Sequence, residues 1–129
     1  MSLPAPKIPV LTIPGLDNSG PTHWQTLWEH QWDACERVEL GVWHAPDRDL
    51  WVNRISETLA EISGPVVIAA HSLGCHAFTH WFEQASFLDR GKIGGALLVA
   101  PPDLTQLSSV SRVTGFDRSA SFTSQVPII

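Results

Sequence analysis

The chain has 129 residues, 43% of them hydrophobic, with eight Lys and Arg against thirteen Asp and Glu for a formal net charge of −5. That length suits a single domain that buries roughly two-thirds of its unfolded surface. An acidic balance without a basic block offers no electrostatic footprint for nucleic acid or for an anionic membrane, so the expected partner is a small molecule, a peptide or a protein.

Met1 to Lys7 shows no apolar core behind a basic region, and no apolar run reaches 18 residues, so nothing marks the chain for export or for a membrane. Ile8-Pro9-Val10-Leu11-Thr12-Ile13 reads as a short apolar strand stopped by Pro14-Gly15. The stretch Pro14 to Pro21 holds two Gly and two Pro in eight residues and reads as a loop. A helix is expected from about Pro21, capped by Ser19 or Thr22, with Trp24, Leu27, Trp28, Gln31 and Trp32 as its buried stripe. Cys35 and Cys75 stand alone without CxxC spacing, which argues against a disulfide framework or zinc ribbon and for reduced thiols in a cytoplasmic protein. Glu36 to Trp43 is a second, more polar strand, placed near a sheet edge. Asp47 or Asp49 then caps a helix with Trp51, Ile55, Leu59 and Ile62 on one face, closed by Gly64-Pro65.

Pro65 to Ala70 is a run of β-branched and small apolar residues without alternation, the pattern of a parallel strand covered on both faces. It leads through His71 to Ser72, and a further helix runs to about Ser86 with Ala77, Phe78, Trp81, Phe82 and Ala85 as packing residues. Ile93 to Ala100 is another buried strand, stopped by Pro101-Pro102-Asp103. From Thr105 to Gln125 the chain is rich in Ser and Thr without a period and reads as a loop or short helix crossing back over the sheet. Val126 to Ile129 is a possible fifth strand beside the fourth. Strands alternating with helices predict a three-layer α/β/α sandwich with a mostly parallel, Rossmann-like sheet in the order 2-1-3-4.

Ser72 carries the functional reading. Ala70 two residues before it and Gly74 two after approximate the G-x-S-x-G nucleophile elbow, in which small neighbours let the helix leave the strand sharply and expose the serine hydroxyl. The bland alternative is an ordinary turn in which Ser72 only caps the helix. A serine hydroxyl needs a general base and donors for the tetrahedral oxyanion. The backbone amides of Leu73 and Leu16 are the candidate donors, and the loop with Gly15, Asp17, Asn18 and Ser19 would wall a substrate pocket at the carboxyl ends of the strands. His23, beside that loop, is the one histidine placed to share the pocket, as a substrate-binding residue ahead of a catalytic base. His76 and His80 fall within the helix that Ser72 opens, and His71 should point away from the hydroxyl. Asp103 could act as an acid only with a histidine partner and is expected to cap the next turn. The i, i+4 pair His76 and His80 lacks a third ligand, so no metal and no cofactor is expected.

Pro14 to Gln25, Ala70 to Cys75 and Leu98 to Asp103, taken together and in that order, resemble the small α/β-hydrolases of the retinoblastoma-binding protein 9 and YdeN-like serine hydrolase family. The resemblance runs from about Val10 to Asp103. It implies an esterase-like serine hydrolase without cofactor, acting on a small ester, amide or peptide, in which Ser72 matches the nucleophile. It also implies that the single domain, residues 1–129, lacks a C-terminal part. The family's acid follows a later strand and its histidine lies further on, and neither position has a counterpart here. The rival reading is a noncatalytic interaction domain that keeps the fold and the pocket. Were Ile129 the end, the strand from Ile93 would have a short neighbour, and its exposed edge would favour self-association.

Overall fold

The structure is a computed structural model, and it describes residues 7–107, 110–120 and 127–129. Four parallel strands, β1 (Val10–Ile13), β2 (Cys35–Arg37), β3 (Val66–His71) and β4 (Ile93–Val99), form one sheet in the order β2-β1-β3-β4. The helices are α1 (Trp24–Gln31), α2 (Arg48–Ala60), α3 (Leu73–Gln84), and the short α4 (Phe87–Arg90) and α5 (Leu104–Leu107). This is the three-layer α/β architecture and the strand order expected from the sequence. Right-handed crossovers place α1 on one face and α2 and α3 together on the other, where those two pack against each other.

The core follows from the apolar strands and from the α2 and α3 faces. Ile13, Ile68, Ala70, Trp51, Ile55, Ala77 and Phe78 are wholly buried. Asp47 caps α2 by accepting from the Leu50 amide at 3.1 Å. Trp51 turns its indole N–H to the Val42 carbonyl at 3.1 Å, so its ring is buried without an orphaned donor.

Three elements differ from expectation. The predicted strand from Glu36 to Trp43 is observed only at Cys35–Arg37, although Val38 and Leu40 remain buried. Its neighbour β1 runs out at Ile13, and Pro14 has no N–H to extend the ladder. Helix α1 starts later than Pro21 and is capped by neither Ser19 nor Thr22. His23 is its N-cap, with Nδ1 accepting from the Gln25 amide at 3.1 Å. Its predicted stripe is not its buried face: Leu27 and Trp32 are 52% and 43% exposed, and Gln25 alone is fully buried. The Trp rings pack along the helix on one another, with centroids 4.8 Å apart for Trp24 and Trp28 and 5.1 Å for Trp28 and Trp32.

The third difference lies within the segment after β4, whose described residues otherwise form the short helix and loop expected. Asp103 caps α5, accepting from the Thr105 amide and hydroxyl at 2.9 and 2.7 Å, as expected. Thr114 then pairs with the start of α2 through the Arg48 amide and the Pro46 carbonyl, at 2.9 and 2.8 Å. That pairing delivers Phe116, an unexpected core residue, edge-on to Trp51 at 6.0 Å. Residues 127–129 lie parallel to β4 with Ile128 opposite Ala96 and so cover part of that edge. Val126, the predicted start of a fifth strand, lies outside the described residues.

Candidate active site

Among the described residues four non-glycine residues have positive φ, namely Asp17, Asn18, Ser72 and Ala100. All four follow the carboxyl end of a strand, so the backbone strain gathers at the rim where open parallel sheets bind ligands. Ser72 occupies the junction of β3 and α3 at φ 55° and ψ −127°, far from helical values, and its side chain makes no capping hydrogen bond. Ser72 is thus the N-cap of α3 by position, but its side chain does not do the capping. Its amide donates to the Val99 carbonyl at 2.9 Å, which pins the turn to β4.

The glycines around Ser72 have steric causes. A methyl group on Gly74 would overlap the Ile13 and Pro14 carbonyl oxygens, so only glycine lets α3 leave against the end of β1. A methyl on Gly15 would sit 3.0 Å from Ser72 Cβ and 3.1 Å from the Leu73 nitrogen. The loop after β1 therefore passes directly against the serine turn. Within that loop the amides of Asp17, Asn18 and Ser19 are all engaged, by Trp43 O, Gly15 O and Asn18 Oδ1. The Leu16 and Leu73 amides, by contrast, make no hydrogen bond among the described residues.

The loop's side chains are spent on holding it. Ser19 is buried, and its hydroxyl donates to Gln25 Oε1 at 2.6 Å. Gln25 Nε2 in turn donates to the Ala69 and Ile13 carbonyls at 2.8 and 3.2 Å. Asn18 Oδ1 accepts from Arg37 Nη1 at 2.8 Å, and Arg37 is fixed by a two-pronged pair with Glu29, 2.8 Å on each prong. Asp17 pairs with Arg112 at 2.9 Å, which holds its carboxyl below the ordinary value. Sequence reasoning passed over Gln25, Arg37 and Arg112. The only signal was a glutamine between Trp24 and the following turn, close after the loop.

None of the described side chains hydrogen-bonds the Ser72 hydroxyl. His76 Nε2 is held on the Pro102 carbonyl at 2.9 Å and His80 Nε2 on the Arg118 carbonyl at 3.0 Å. His23 and His71 form an edge-on pair with centroids 4.5 Å apart. Burial lowers the pKa of both, aided for His23 by Arg37 and for His71 by His23. Because His23 Nδ1 accepts a hydrogen bond, its proton sits on Nε2, which makes the ring a donor rather than a base in this geometry. Both thiols are free and buried, and burial pushes Cys35 up to about 11 and Cys75 to about 12, so neither is a nucleophile near neutral pH. No group of three potential metal ligands occurs among the described residues, and no helix there is long and apolar enough to cross a membrane.

Two cavities are lined by other parts of the fold. One of about 410 Å³ lies at the amino end of β1, beside Val10, Trp32 and Cys35. A smaller one of about 200 Å³ lies between α3 and the end of β4, beside Cys75, His76, Thr79 and Leu98. Neither is lined by Ser72 or by residues 15–23, and the wall expected from Gly15 to His23 is instead a loop folded against the serine turn.

A parallel 2-1-3-4 sheet with a serine at a tight, positive-φ turn after its central strand defines a domain of the α/β-hydrolase type. The chain belongs to the serine hydrolase family, whose model matches residues 10–128. It is similar to a crystal structure described as that of a YdeN-like hydrolase from Pectobacterium atrosepticum, with a TM-score of 0.75 and 28% identity. The alignment covers 95% of this chain and 61% of that one, so the chain spans less than two-thirds of its structural relative. The curated proteins contain no significant match.

Proposed function

We propose that Ser72 is the nucleophile of an esterase-like hydrolase working through an acyl-serine intermediate. The observation that carries this is its backbone at φ 55° and ψ −127° with an uncapped side chain at the β3–α3 junction. The hydroxyl oxygen attacks the carbonyl carbon of a small ester, amide or peptide, its proton passes to a general base, and the carbonyl π electrons move onto oxygen. The Leu16 and Leu73 amides receive that oxyanion, which is supported by their having no acceptor among the described residues. Collapse expels the alcohol or amine, which takes the proton, and water then releases the acid by the same steps in reverse. In this reading Gly15, Asp17, Asn18, Ser19 and His23 bound the substrate side, with Gly15 allowing the close approach. The acid and base are proposed to lie in sequence beyond Ile129, in keeping with the greater length of the YdeN-like structure.

The absence of a described partner for the Ser72 hydroxyl favours a second reading, a binding domain that has kept the fold. A fluorophosphonate probe followed by intact mass separates the two. A positioned but unassisted serine should label slowly at Ser72, retain about 10³-fold ester hydrolysis over water, and lose both in Ser72→Ala. No labelling at any concentration would leave only the binding domain. Rapid labelling would place the base within the chain, and His23→Ala would then be the decisive variant.

A further inference from the structure

Helix α1 buries a single residue among its eight, and that residue is a primary amide, Gln25. Burying an amide in a sheet-covering helix is unfavourable unless its polar atoms are paired, and a methionine of similar volume would fill the space without that requirement. Gln25 is paired at three points that packing alone would not connect. Ile13, whose carbonyl accepts from Nε2, ends β1 three residues before Leu16. Ala69, whose carbonyl accepts the shorter bond, lies three residues before Ser72. Ser19, whose hydroxyl donates to Oε1, closes the far end of the loop between them.

Sheet pairing registers Ile13 against Ala70 and then ends. Beyond it the loop is tied by the Asp17 amide on the Trp43 carbonyl and by side chains: Arg37 on Asn18, Arg112 on Asp17, and the Ser19–Gln25 bond beneath them. The Arg112–Asp17 pair is about half exposed and solvent-screened, so it holds the loop weakly. We infer that Gln25 is a positioning residue that sets the Leu16 amide against the Ser72 hydroxyl by cross-linking the ends of β1 and β3 to the loop. The inference rests on the reading of Ser72 as nucleophile and Leu16 as oxyanion donor.

The test uses the 129-residue chain, a fluorophosphonate probe and two substitutions of matched size. Gln25→Met removes all three bonds and should slow labelling of Ser72 by about tenfold or more, a fraction of the loss when an oxyanion donor is deleted. Gln25→Glu should be as slow at pH 8, where a carboxylate faces two carbonyl oxygens. Its rate relative to wild type should rise severalfold toward pH 6, because a buried carboxyl has a raised pKa and its protonated form restores one donor. A merely structural glutamine would show no such pH-dependent ratio.

Amide exchange measured by NMR gives a readout that does not depend on labelling. In Gln25→Met the Asp17, Asn18 and Ser19 amides should exchange about tenfold faster, with α2 and β4 unchanged. Wild-type exchange in the loop, or wild-type labelling beside a loosened loop, would overturn the inference. If exchange rises everywhere, Ser19→Ala, which removes one bond at the loop, decides by the same two readouts, and no change in either overturns it. Unlabelled wild-type protein would instead sink the nucleophile reading, and loop exchange alone would then decide whether Gln25 fixes the loop.

Discussion

The two helical layers of this domain do different work. On one face α2 and α3 bury Trp51, Val52, Ile55, Leu59, Phe78 and Trp81 against each other and the sheet. On the other, α1 leaves Leu27 half exposed, stacks its tryptophans along its own surface, and buries one amide that reaches the strand ends beside Ser72. The first layer is a source of stability through burial of apolar surface. The second contributes less burial and more geometry, since its inward side chain is spent on the loop and the turn that make up the candidate site.

The comparison can be broken by substitution. Phe78→Ala, at a site with no exposure, should cost about 3–5 kcal/mol and lower the urea midpoint strongly, because little around a wholly buried ring can collapse into the space. A cost below about 1 kcal/mol would mean that α3 is not the main buttress.

Acidification gives an intermediate effect that sharpens the contrast. Burial lowers the pKa of His80 in the α3 layer, and of His23 and His71 on the α1 side, below the ordinary 6.5. The unfolded chain therefore takes up protons first as pH falls. The stability these groups contribute is complete above about 6.5 and is lost progressively as pH drops through their folded values. Asp17 and Asp103, held below 3.8 by Arg112 and by Thr105 respectively, stay ionised across this window and add nothing to it. The urea midpoint should thus fall between pH 7.5 and 5.5. His23→Asn keeps an N-cap acceptor while removing one titrating ring, so it should shallow that dependence. An unchanged slope would assign the loss to the other two histidines.

The smallest effect is expected on α1. Leu27→Ala removes a side chain that is 52% exposed from a helix interior where alanine is favoured, so stability should move by no more than about 0.5 kcal/mol. A loss of several kcal/mol by urea titration would show that this face is covered in solution.

The particular elements show where sequence reasoning was sufficient. Val66 to His71 is legible because a strand covered on both faces must be continuously apolar, and α2 because its Asp47 cap and its Trp51, Ile55 and Leu59 face agree, although the helix ends at Ala60 and not at Gly64-Pro65. Ile93 to Val99 forms the expected strand but not a fully buried one, since it ends the strand order and only Ile93 and Ala96 are buried. The serine turn is legible because the small residues it demands are local. Gln25, Arg37 and Phe116 were not legible, since each acts on a residue far along the chain: Gln25 on Ala69, Arg37 on Asn18, Phe116 on Trp51. The α1 stripe misled for a related reason, as periodicity reports that one face is apolar and not whether the sheet extends beneath it.

The sequence by itself thus determined the alternation of strands and helices, the strand order, and the position of the candidate nucleophile, because these depend on spacing, side-chain size and handed connections within short stretches. Tertiary structure alone decided that the loop after β1 folds against Ser72, that its polar side chains are spent on Gln25, Arg37 and Arg112, and that the Leu16 and Leu73 amides make no hydrogen bond among the described residues. Hydrogen bonds and ion pairs are specific to distance and direction, and those quantities exist only after the distant parts of the chain have met.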